Sequence, residues 1–127
     1  MKRLAIQTAV VLAFCLILCT TTMILLNRTL DEAHSLTTEI YTDMEEGRKE
    51  TAREKLVELA TFWDDSAPIL ELLCYHDDLH EVKQHIIQAR ICLDYKDPEE
   101  FYSAVALVGE AVEHIRDEEA LSWTNLY

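Results

Sequence analysis

The sequence predicts an all-α protein in which an N-terminal transmembrane helix is followed by a small antiparallel four-helix bundle. Three observations carry this. Only 2 Gly and 2 Pro occur among 127 residues, against average usages of roughly 7% and 5%, so turn residues are too scarce to punctuate a many-stranded sheet. No charged residue occurs between Leu4 and Leu26. Beyond that stretch, apolar residues recur at the three- and four-residue steps of an amphipathic helix.

The same composition excludes whole classes of function. Neither G-x-G-x-x-G nor G-x-x-x-x-G-K occurs, so no glycine-rich loop is available to cradle a phosphate or dinucleotide. With 11 basic and 24 acidic residues the net charge is −13, and such a surface repels nucleic acid rather than releasing its counterions.

The first element is the apolar run Leu4–Leu26, interrupted only by Gln7, Thr8 and Thr20 to Thr22. At about 1.5 Å per residue it reaches roughly 34 Å, enough for a hydrocarbon core of about 30 Å. Threonine hydroxyls return to the carbonyl one turn earlier and are tolerated there. A cleaved signal peptide is the competing reading. Against it, the run resumes at Met23–Leu26 without an A-x-A site, and Cys15 and Cys19 follow Phe14 and Leu18 rather than the small residue of a lipoprotein signal. Residues 1–27 therefore read as a cytoplasmic tip and retained anchor, and residues 28–127 as an acidic extracytoplasmic helical domain. Lys2 and Arg3 precede the span and Arg28 alone follows it, which sets that orientation. Without Lys2 and Arg3, 9 basic residues face 24 acidic ones, a net −15 for the outer domain.

The outer domain reads as four helices. Leu30, Ala33, Leu36, Ile40 and Met44 mark the first, ending near Glu46 with Gly47 as its left-handed C′ residue. Ala52, Leu56, Leu59 and Phe62/Trp63 mark the second, with Arg48, Lys49, Arg53 and Lys55 on its solvated sides. The run from Asp64 to Pro68 breaks the pattern, and Asp65 or Ser66 caps a third helix reaching Asp94, with an inward stripe through Ile69, Leu72, His76, Leu79, Val82, Ile86 and Leu93. Cys74 and Cys92 then share one helix about 27 Å apart, too far for a disulfide. Asp97, Pro98 and Glu100 form the N-cap, N1 and N3 of the fourth helix, with Glu100 completing a capping box, and its buried face is Phe101, Ala104/Val105, Val108, Ala111/Val112 and Ile115. Short turns between the four imply antiparallel neighbours.

Candidate chemistry is sparse. His76 and His80 lie four apart on one helix face, the spacing of H-E-x-x-H zinc peptidases, but Asp77 replaces the glutamate and no third ligand is signalled; His85, His114 and Glu81 are candidates only by being present. They are weak metal candidates; no catalytic residue and no cofactor is expected. His76, between Leu72 and Leu79, reads instead as a structural histidine reaching toward Trp63 or a hydroxyl near the second helix. The terminal set Leu121, Trp123, Asn125, Leu126 and Tyr127 reads as a docking patch or as a tail completing the core.

The basic N-terminus, the single span, Glu45-Glu46-Gly47 before Ala52…Leu56…Leu59…Trp63, then His76 with Leu79, and the terminal Ser122…Asn125-Leu126 resemble the family called domain of unknown function 4363. Its members are short bacterial proteins with one N-terminal span. Leu126 stands where isoleucine is more usual, and the resemblance carries over no activity or catalytic residue and leaves function open. The absence of assembled chemistry, the anchor and the acidity give the expectation of a non-enzymatic, single-pass protein of the bacterial cell membrane. Its outer domain binds another membrane or envelope protein, with no nucleic-acid partner. A metal sensor or metal-dependent hydrolase built on His76 and His80 is the alternative.

Overall fold

No helix breaker lies in the first 46 residues: the first glycine is Gly47 and the first proline Pro68. In the computed structural model the consequence is one unbroken helix, α1, Lys2–Glu45, in which the apolar run and the first amphipathic stripe are continuous. Three helices follow: α2, Lys49–Leu73; α3, His76–Asp94; and α4, Pro98–Asn125. The structure describes residues 1–95 and 97–125, with side chains up to residue 119, and no strand occurs among them.

The first twenty or so residues of α1 stand bare, and Thr8, Thr20 and Thr22 donate their hydroxyls to the carbonyls of Leu4, Leu16 and Leu18 at 2.9, 2.8 and 2.5 Å. The back half carries one buried stripe, Leu26, Leu30, Ala33, Leu36, Thr37 and Ile40. It packs on α2 and α4, and α3 closes the square against those two. The result is an antiparallel four-helix bundle in which α1 supplies both the long apolar segment and the first bundle helix. Its core is formed by Leu56, Leu59, Trp63 and Leu70 of α2, Leu79, Val82, Ile86 and Leu93 of α3, and Phe101, Val105, Val108, Val112 and Ile115 of α4.

Both expected caps are present, but the capping box is half made, since the Asp97 amide donates to the Cys92 carbonyl at 3.0 Å and not to Glu100. Gly47 adopts φ 79°, and the Gly47 and Arg48 amides donate to the Met44 and Asp43 carbonyls at 3.2 and 2.8 Å. These are the paired bonds of a Schellman termination. At the start of α4, the Glu100 amide donates to Asp97 Oδ1 at 3.3 Å, and the whole expected face from Phe101 to Ile115 is buried.

The boundary between the second and third helices departs from expectation. Neither Asp65 nor Ser66 caps a helix: α2 continues through Pro68 to Leu73. Leu56, Leu59, Trp63 and Leu70 form one stripe spaced by three, four and seven residues, and burying it outweighs the single backbone bond a proline removes. The chain turns instead at Cys74 and Tyr75, both extended (ψ 160° and 135°), and α3 begins with Asp77 and Asp78 in its first turn, where the helix dipole favours acid. The inward stripe assigned to Ile69, Leu72 and His76 is thereby overturned: all three are exposed, Leu72 at 85%. Cys74 and Cys92 do not share a helix; Cys74 ends α2, Cys92 lies buried near the end of α3, and both are free thiols.

The two glycines predict opposite mutational signs. Gly47→Ala places a side chain in the left-handed region and should cost about 1–2 kcal/mol, although nothing lies within 4 Å of the new Cβ. Gly109→Ala meets only Thr37 Cγ2 at 3.8 Å, and should stabilise by about 0.4–1 kcal/mol by restricting the unfolded chain. Chemical denaturation of both variants checks the pair.

Candidate functional site

Three groups of polar side chains merit description, beginning with one that composition hides. Asp43 points into the bundle and is 2% exposed. Arg48 Nε and Nη2 donate to its Oδ1 at 3.1 and 2.8 Å, and Lys55 Nζ lies 2.8 Å from Oδ2. Arg48 also pairs with Glu46, and Lys55 lies 3.6 Å from Glu39. Lys55 is consequently half-buried and turned to Asp43, not on the solvated side where a surface helix pattern places it. The Lys55 ammonium and then the Arg48 guanidinium hold the Asp43 carboxyl below its ordinary range. This clamp ties the end of α1 to the first two turns of α2. It is structural, and an aspartate one residue before Met44 gave no sequence signal of burial.

The second group is the predicted histidine pair. His76 and His80 are exposed and their rings stack with centroids 6.3 Å apart. His80 Nε2 lies 3.2 Å from Gln84 Nε2. Both line an open cleft of about 190 Å3 with Trp63, Asp64, Glu71 and Lys83, and Lys83 Nζ pairs with Asp64 at 2.9 Å. Trp63 is buried, and its indole donates to the Leu79 carbonyl at 3.3 Å. The partner expected for Trp63 near His76 is thus a backbone oxygen one turn further on. His76 itself is at the first position of α3, outside the core.

The third group includes His114, which the sequence offered only as a third ligand for His76 and His80, and its partners were not foreseen. His114 and Glu118 lie one turn apart on α4, with Nε2 and Oε1 3.0 Å apart, and Asp78 reaches them from α3 with its Oδ1 3.9 Å from the same imidazole nitrogen. The ligand atoms of these three residues all fall within 4.8 Å of one another, as in no other His, Cys, Asp or Glu set among the described residues. A hydrogen bond with Asp78, then burial, raises the Glu118 carboxyl above its ordinary range, and burial raises Glu119. Beside them, burial and then the carboxylates of Glu119, Asp78 and Glu118 push the Cys74 thiol up to about 11, which keeps it protonated and unreactive. His114-x-x-x-Glu118 was readable as a same-face pair; the approach of Asp78 is a tertiary fact that spacing cannot reveal. Of the terminal set, the side chains of Leu121, Trp123 and Asn125, and Leu126 and Tyr127 entirely, lie outside the described residues.

Among known proteins, the family described as Domain of unknown function (DUF4363) matches residues 20–126. No curated protein and no solved structure matches the chain.

Trp63→Ala should cost about 3–5 kcal/mol, whereas His76→Ala should change stability by no more than about 0.5 kcal/mol; thermal melts of the two variants test the assignment. The clamp predicts a pH dependence. Because the folded Asp43 carboxyl titrates below its ordinary value of 3.8, its stabilisation is present above that value and disappears as pH falls through the lower, folded one. Asp43→Asn should melt well below the parent at neutral pH, and the gap should close in strong acid. A gap constant with pH would contradict the ion cluster.

Proposed function

The chain belongs to the DUF4363 family, whose description names no activity, and on that footing we propose that it is a single-pass bacterial membrane protein with an extracytoplasmic binding head. The N-terminus is cytoplasmic, and the acidic head engages another membrane or envelope protein without catalysing a reaction. The observation that carries this reading is the exposure of α1. It is long and apolar enough to cross a membrane, and only 6% of its most apolar stretch is buried, whereas a core helix of a soluble protein is covered by its neighbours.

Chain geometry supports the same reading. From the Gly47 turn, the 25 residues of α2 run about 37 Å back along α1, so the turn at Cys74 and Tyr75 lies level with the polar threonines at Thr20–Thr22. Leu72 and Tyr75 are 85% and 72% exposed there. In this reading they rest in the headgroup layer, where aromatic and apolar side chains anchor. The binding role draws on the net −15 of the outer part, which suits a basic partner surface and steers it electrostatically.

A reporter enzyme that is active only outside the cytoplasm, fused after Tyr127, should be active and should sediment with membranes. Activity in the culture fluid would identify a cleaved leader, and an inactive fusion would reverse the orientation. Crosslinking in intact cells should trap a discrete partner whose yield falls as ionic strength rises; a salt-independent crosslink would remove the electrostatic argument.

A further inference from the structure

We propose that Asp78, His114 and Glu118 form a divalent transition-metal site, with Zn2+ the best-matched ion, joining the start of α3 to the last turns of α4. A helix-surface His–Glu pair is unexceptional, but here a third ligand arrives from a different helix. The donor atoms are 3.0 and 3.9 Å from His114 Nε2, and metal–ligand bonds of about 2.0–2.2 Å place neighbouring donors of a tetrahedral ion roughly 3.4 Å apart. Small side-chain rotations therefore close the set around one ion. Asp78 and Glu118 are shielded, with 17% and 35% of their side chains exposed.

Charge supplies the second observation. Among the described residues, lysine or arginine joins carboxylates across α1–α2 (Lys55–Asp43), α2–α3 (Lys83–Asp64, Arg53–Asp94) and α1–α4 (Arg116–Asp31). Across α3–α4 the only ion-pair contact among the described residues is that of His114 with Asp78. Two carboxylates thus meet at a packed helix–helix seam where none of the described lysines or arginines pairs with them. His114 also lines the open α3–α4 groove with Glu81, His85, Glu110, Glu113 and Asp117, and such a groove raises the local cation concentration. The imidazole selects zinc and its neighbours over Mg2+ and Ca2+, which prefer oxygen alone. Three protein ligands leave a fourth position for water or an outside group.

The site does not depend on whether α1 crosses a membrane. Calorimetric titration of the full chain in detergent with Zn2+ should give one ion per chain, and Co2+ in its place should develop the intense visible bands of a low-coordinate ion. His114→Ala and the size-conserving Glu118→Gln should each weaken binding at least about 100-fold, more than loss of an outer partner does, while His76→Ala leaves it unchanged. If the parent chain binds no stoichiometric zinc, if Glu118→Gln binds as the parent does, or if His76→Ala abolishes binding, the site is refuted. Weak cobalt uptake without those bands, equal in all variants, would identify adventitious cations in the acidic groove and would refute it equally.

Discussion

Everything in this fold hangs on a single helix whose front is bare and whose back half is packed. The front of α1 is apolar and bare, and its back half presents one narrow stripe to two partners, α2 and α4. Because no glycine or proline intervenes before Gly47, the two halves share one axis without a linker. The position of the bundle relative to the apolar segment is therefore set by helix geometry. Leu26, the last residue of the apolar run, is already 1% exposed inside the bundle, so the head begins where the bare segment ends. A flexible joint would have let the head tumble; a continuous helix transmits its orientation.

A chain that runs out of α1 must reverse sharply and keep its register, and Asp43 governs that reversal. Its carbonyl accepts from the Arg48 amide, and its carboxylate takes the Arg48 guanidinium and the Lys55 ammonium. Backbone termination and side-chain pairing thus converge on one residue. A buried ion cluster often adds little net stability relative to apolar packing. What it excludes here is sliding of α2 along α1, since any other register leaves the carboxylate buried without its cations. On the opposite flank, Gly109 on α4 faces Thr37, whose hydroxyl is turned back to the Ala33 carbonyl at 2.7 Å. Small surfaces there let α1 and α4 approach closely.

The sequence was most readable where local chemistry is decisive. Gly47, Asp97 with Glu100, the threonine hydroxyls and the α4 face all follow from rules acting within a turn or two, and the structure has each of them. Reading failed at Pro68, where a strong local breaker signal competed with a stripe from Leu56 to Leu70 and the stripe prevailed. That one misplaced boundary shifted the helical phase for everything up to Tyr75, which is why His76 looked inward and Cys74 looked helical. Asp43, and the meeting of Asp78 with His114 and Glu118, were illegible for a different reason. They are contacts between helices, and periodicity within one helix carries no information about what another brings to it.

The scarcity of bases gives the distribution of ion pairs its meaning. With 11 basic residues against 24 acidic ones, most carboxylates must face water, and they do so at little cost on exposed helix surfaces. Where two helices meet, exposure is reduced and like charges repel more strongly. Three of the four seams place a lysine or arginine at that point, and α3–α4 places a histidine whose neighbours are both acids. An imidazole offers one nitrogen lone pair as well as a proton site. It can therefore complete a carboxylate pair either as a cation or as a metal ligand, a choice that a guanidinium at the same position would have closed.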